Sequence, residues 1–155
     1  MNGRLHAIHR SPGGVPKLPV PEAQVTPAGV AGDVQRNLKH HGGPDRAVCI
    51  YSLERIEALV AEGHPIAPGT IGENLTVAGV DWDTVLPGTR FRVGESLHLE
   101  VTTFAVPCSN IAGSFAAGEI RRVLQSAHPG WSRAYARVLA AGTVRVGDSV
   151  SIEAP

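Results

Sequence analysis

Glycine and proline punctuate this chain so densely, 18 and 12 of them in 155 residues, that few uninterrupted stretches are long enough for a helix. Glycine weakens the interior of a helix and proline breaks it, so this spacing favours short extended segments joined by turns. Between the breaks, β-branched and alternating residues predict strands over 5–9, 24–30, 47–51, 74–78, 89–93, 96–103, 143–146 and 149–153. Val93-Gly94-Glu95-Ser96 and Val146-Gly147-Asp148-Ser149 have one form, a valine and a glycine–acid pair before serine, and each reads as a tight hairpin. The proline-rich segment 11–21 reads as a surface loop.

Three helices are expected among these strands. Ser52 can cap one whose Leu53, Ile56, Leu59 and Val60 share a face, with Glu54 at its positive end and Gly63 and Pro65 stopping it. A second covers 115–127, with Ile120, Val123 and Leu124 apolar and Gly118 weakening it. A third covers 132–141, where Ser132 would be the cap and Tyr135, Val138 and Leu139 the inner face. Many short strands with few helices favour a mainly β (α+β) fold, a closed or nearly closed β-barrel rather than a doubly wound sheet.

The length suits one domain spanning 1–155. Fourteen basic and fourteen acidic side chains balance, so no general field draws nucleic acid or an anionic membrane. Aromatic residues, 5% of the chain, are too sparse for a base-stacking platform. No run approaches the roughly 18 apolar residues of a membrane span. The start, Met1-Asn2-Gly3-Arg4-Leu5-His6, is too polar for a secretory signal, so a cytoplasmic protein with reduced thiols is expected.

The two cysteines have unlike neighbourhoods. Cys49, in Ala47-Val48-Cys49-Ile50-Tyr51, reads as an ordinary buried strand residue. Cys108 follows a strand and Pro107, so its thiol projects from restrained backbone, where a thiolate could bind a soft metal or carry sulfur. Lys39-His40-His41-Gly42-Gly43-Pro44-Asp45-Arg46 is the densest signal elsewhere. Its glycine amides could cradle an anion, with Arg46 a planar cation and His41 a titratable partner, or it could be a turn with solvated charges. Adjacent histidines and distant cysteines match no common zinc spacing. Glu73 and Asn74, in Gly72-Glu73-Asn74-Leu75, could read the polar edge of a heterocycle or close a turn. Arg133, in the first turn of the third expected helix, is a cation where the dipole disfavours one, which suggests an anionic neighbour. No nucleophile elbow is present, while a Cys-His hydrolase using Cys108 with His41 or His128 is open.

Taken in order, these pieces resemble the MOSC domain family, named for the C-terminal domain of molybdenum cofactor sulfurases. The matching segments are His41 to Val48 (HGGPDRAV), Gly72-Glu73-Asn74-Leu75, Thr102 through Pro107-Cys108, Gly130 to Leu139 (GWSRAYARVL), and Gly147-Asp148. The resemblance implies a strand-rich barrel and a molybdenum cofactor, a pterin dithiolene carrying a phosphate. It implies that Cys108 ligates molybdenum as the catalytic residue, with His41, Gly42, Gly43, Arg46, Glu73, Asn74, Thr102, Arg133 and Tyr135 around cofactor or substrate. It further implies an oxidoreductase that reduces small N-hydroxylated compounds with electrons from partner redox proteins. The alternative is a sulfur carrier or cofactor-handling protein that uses a Cys108 persulfide without turnover of its own. Pyridoxal phosphate is associated with the family at large and falls on no residue here. Ser109-Asn110 follows Cys108 where many relatives have a lysine.

Overall fold

The computed structural model describes residues 2–34 and 43–155. Eleven strands are present among them: β1 Asn2–Arg10, β2 Leu18–Val20, β3 Glu22–Thr26, β4 Gly29–Val30, β5 Val48–Ser52, β6 Leu75–Ala78, β7 Arg90–Val93, β8 Leu97–Phe104, β9 Ala134–Ala140, β10 Gly142–Arg145 and β11 Ser149–Glu153. The main sheet runs β11-β7-β8-β9-β5-β6-β1-β2, and a further β11–β1 pairing closes seven of these strands into a barrel. β1 makes closure possible because it is long: Asn2 to Arg4 pair with β11, while Ile8 to Arg10 pair with β2 on the same edge. The described pairings are antiparallel except β5–β6, whose parallel crossover contains helix α1, Leu53–Ala61. β10, β3 and β4 form a separate three-stranded sheet.

Inward side chains fill the barrel. Leu5, Ile8, Ile50, Leu75, Phe91 and Leu99 are all essentially inaccessible, and the Trp82 ring meets Tyr51 edge-on at 5.8 Å. α1 forms as its sequence predicts, with the Ser52 hydroxyl accepting from the Arg55 amide at 3.2 Å and Ile56 and Leu59 buried. No helix among the described residues is long and apolar enough to cross a membrane.

Several expectations are corrected. The 132–141 segment is the central strand β9, paired with β8 on one side and β5 on the other. Pairing with β8 along its length and with β5 over Ala134 to Ala136 outweighs a weak helical periodicity, so Ser132 caps no helix and the dipole argument for Arg133 lapses. The 115–127 helix is instead two 3-10 turns, Ala116–Gly118 and Ile120–Val123, following a third at Ser109–Ser114, with Ala117 and Gly118 at positive φ. Residues 24–30 split into β3 and β4 around a turn. Val93-Gly94-Glu95-Ser96 does join paired strands, whereas the similar turn at Gly147 links β10 to β11, which lie in different sheets. Within the expected surface loop 11–21, Leu18–Val20 is a strand and Lys17 is buried.

Candidate functional site

Beyond the end of β8 the chain passes Ala105 and Pro107 and reaches Cys108. Ala105 is fixed on both sides: its amide donates to the Arg133 carbonyl at 2.9 Å, and its carbonyl accepts from the Ser132 hydroxyl at 3.0 Å. Cys108 then begins the Ser109–Ser114 turn, its carbonyl accepting from the Ile111 amide at 3.2 Å. Its thiol is half-buried and free, and it borders a cavity of about 230 Å³.

Gly130-Trp131-Ser132 is gripped from behind. Consecutive carbonyls accept from Arg55 Nε at 2.9 Å, from the Tyr51 hydroxyl at 2.6 Å and from Trp82 Nε1 at 3.0 Å. The Arg55 and Arg122 guanidinium groups both lie over the Trp131 ring, 4.6 and 4.0 Å from its centroid. This grip sends the next side chain, Arg133, into the cavity wall. Arg133 is 4% exposed and donates through Nη1 to the Ile71 carbonyl at 2.7 Å, while its Nε has no partner among the described residues.

Asn74 organises another part of the same wall. It is fully buried, and its side-chain oxygen accepts from the Cys49 amide at 2.9 Å. Its side-chain nitrogen donates to Asp33 at 2.9 Å and to the His9 carbonyl at 3.3 Å, tying β5, β1 and the segment after β4 together. Asp33 also accepts from the Ser11 amide at 2.9 Å and from the Lys17 ammonium at 2.5 Å. Gly69 lets this region close. It has φ +86°, and a Cβ there would lie 2.6 Å from the Lys17 carbonyl and 2.7 Å from the His9 ring.

The cavity therefore gathers Cys108, Asn74, Arg133 and Tyr135 from the residues singled out in the sequence. Arg46 lies behind, 6.0 Å from the Tyr135 ring. Glu73 is fully buried outside the lining, where its carboxyl accepts from the Thr76 hydroxyl at 3.1 Å and burial raises its pKa. Thr102 donates to the carbonyls of Asp45 and Tyr135, fastening the Pro44–Arg46 turn to the barrel, and Gly43 opens that turn at φ +92°. His41 and Gly42 lie outside the described residues.

Sequence reasoning missed Cys49, Lys17, Asp33 and Asn110. Cys49 pairs with Tyr135 across β5 and β9, and both line the cavity. Burial pushes the Cys49 thiol up to about 11 and the Tyr135 hydroxyl well above its usual range, so both keep their protons at neutral pH. An observer could have flagged Lys17 only as a lone lysine in a Gly-Gly-Val-Pro loop.

Comparison with known proteins agrees with this architecture. The MOSC domain model matches residues 37–151. YflK of Bacillus subtilis, an uncharacterised protein, is 36% identical over 124 residues, covering 78% of this chain and 54% of YflK. YiiM of Escherichia coli is 34% identical over 131 residues, covering 80% of this chain and 58% of YiiM. A protein of Gibberella moniliformis named reductase is 30% identical over 129 residues, covering 80% of this chain and 22% of that one. The chain thus spans little more than half the length of the first two relatives. Among solved structures, the YUAD protein of Bacillus subtilis superposes with a TM-score of 0.83 at 18% identity, over 100% of this chain and 97% of the other. YiiM of Escherichia coli superposes with a TM-score of 0.73 at 25% identity, over 100% and 71%. The barrel, the ordered motifs and a family match over most of its length place this chain in the MOSC domain family.

Proposed function

We propose that this protein binds a molybdenum cofactor through Cys108 and reduces small N-hydroxylated compounds with electrons from partner redox proteins. The observation that carries this reading is one cavity shared by the half-buried Cys108 thiol and the buried Arg133 guanidinium. MOSC domains as a family are associated with this cofactor. The residues fit it chemically. Among the described residues no group of three or more histidine, cysteine or acidic side chains could hold a metal, so an ion at Cys108 needs a ligand set of its own. A dithiolene brings one, and a thiolate is the soft donor that completes it. The unpartnered Nε of Arg133 suits an anionic group on such a ligand.

When bound, the cofactor supplies a metal able to deliver two electrons to an N–O bond. The chain's residues set the conditions. Cys108 would hold the metal, Asn74 braces the wall through its bonds to Cys49 and Asp33, and Ile71 and Ile111 make part of the lining apolar. Overall, R–NHOH, two electrons and two protons give R–NH2 and water. Burial holds the protons on Tyr135 and Cys49 at neutral pH, so neither is a ready acid and the two protons are drawn from solvent. The relative named reductase lends support to a redox role.

Protein made in a host that synthesises the cofactor tests the reading. Molybdenum should co-purify with the wild type and fall at least tenfold in Cys108→Ala, while Cys49→Ala keeps it. Metal absent from both overturns the proposal. If mild sulfur donation then adds mass only where Cys108 is intact, the persulfide-carrier reading takes its place.

A further inference from the structure

We propose that Lys17 contacts the substrate's oxygen in this cavity, and that it selects N-hydroxylated compounds whose oxygen carries negative charge, hydroxamates above amidoximes. This inference rests on the reductase reading and names its substrate class.

The placement of Lys17 is the first ground. It lies outside the region matched by the family model, yet it lines the same cavity as Cys108 and is only 8% exposed. Its bonding is the second. An ammonium has three donors, and among the described residues the partner of Lys17 is the Asp33 carboxylate at 2.5 Å. Asp33 already accepts three hydrogen bonds, from Ser11 on one oxygen and from Lys17 and Asn74 on the other. Among the described residues the other two Lys17 N–H groups meet no acceptor, which leaves them for a ligand on the wall. The third ground is charge. Lys17 and Arg133 are both cations on this wall, and Asp33 balances only one of them.

An ammonium whose position is fixed by a carboxylate binds an anionic oxygen far better than a neutral one, because both partners of the hydrogen bond are then ionised. Hydroxamic acids are weak acids that lose the N–OH proton above neutral pH, and a neighbouring ammonium favours that loss. Amidoximes are neutral to basic and gain less from this contact. The apolar walls, Val15, Ile71 and Ile111, suit the carbon body of a small ligand.

Two arms test the proposal. In cofactor-free protein carrying Cys49→Ala, benzohydroxamate should slow iodoacetamide alkylation of Cys108, and the protecting concentration should rise at least tenfold in Lys17→Met/Asp33→Asn. The double variant removes both charges, so it avoids stranding a buried carboxylate, and Lys17→Arg should keep most of the protection. In loaded enzyme, the ratio of kcat/KM for benzohydroxamate over benzamidoxime should fall at least tenfold in the double variant. Equal protection by inorganic phosphate, or undiminished protection in the double variant, overturns the proposal. A wild type without molybdenum overturns the reductase reading alone, because the alkylation arm still decides whether Lys17 binds the oxyanion.

Discussion

The cavity wall and the outer face of this barrel both carry ion pairs, and they use them differently. Lys17 and Asp33 meet at 2.5 Å with side chains 8% and 3% exposed, whereas Arg145 and Glu22 meet at 2.9 Å with 70% and 50% exposed. Burying a charged pair costs several kcal/mol of desolvation, and apolar residues of similar volume are often as stable. Water and salt screen the outer pair, which costs little and contributes little. A chain that keeps a buried pair beside an open cavity keeps it at a place where a ligand can use the charge. The largest expected effect follows. Lys17→Met alone strands Asp33 without its cation, and chemical denaturation should show a loss of about 3–5 kcal/mol. Adding Asp33→Asn should restore most of it. A single-variant loss below about 1 kcal/mol would mean that water reaches Asp33, and the contrast between wall and surface would fail.

The same wall should make stability sensitive to acid. His9 is 3% exposed, and its Nδ1 has no partner among the described residues. Burial first, then the charges of His6 and Lys17, lower its pKa from 6.5 to about 4. Between those values the unfolded chain binds a proton that the folded chain refuses, so stability rises with pH across the window. Lowering the pH from 7 to 4 should remove about 3 kcal/mol, over and above the carboxylate contribution. His9→Gln should flatten that part of the profile. An unchanged slope between pH 6.5 and 4 would show that His9 is protonated in place.

Much of this contrast was hidden from the sequence, for identifiable reasons. Strand boundaries were legible where glycine or proline flanked a β-branched run, and α1 where Ser52 could cap an amphipathic face. β9 was not, because Tyr135, Val138 and Leu139 fit a helical period as well as a strand, and only pairing with β5 and β8 decides between them. Cys108, Asn74, Arg133 and Tyr135 could be singled out because their motifs keep an order along the chain. Cys49 could not, since its register opposite Tyr135 is a property of strand pairing. Lys17 and Asp33 are 16 residues apart in segments without a motif, and nothing local announces that they meet.

Trp131 gives a third, smaller contrast within one segment. Its ring meets Arg55 and Arg122, while its carbonyl accepts from the buried Tyr51 hydroxyl. Trp131→Ala removes the stacking but no carbonyl contact, so between about 1 and 2 kcal/mol should be lost. Because the backbone grip on Arg133 persists, the protection of Cys108 by benzohydroxamate should change less than twofold. A collapse of that protection would show that the ring, and not the three carbonyl contacts, aims Arg133.

Arg145→Ala supplies the lower bound. Arg145 donates to Glu22 across β10 and β3, in the small sheet away from the cavity. Its amide, which accepts no help from the guanidinium, donates to the Asp148 carboxylate at 2.8 Å and survives the substitution. The unfolding midpoint should not move measurably, and added salt should affect wild type and variant alike. If instead this exposed pair were to matter as much as Lys17 and Asp33, burial would not be what separates the two faces. The functional weight placed on a charge held against the cavity would then have to rest on its position alone.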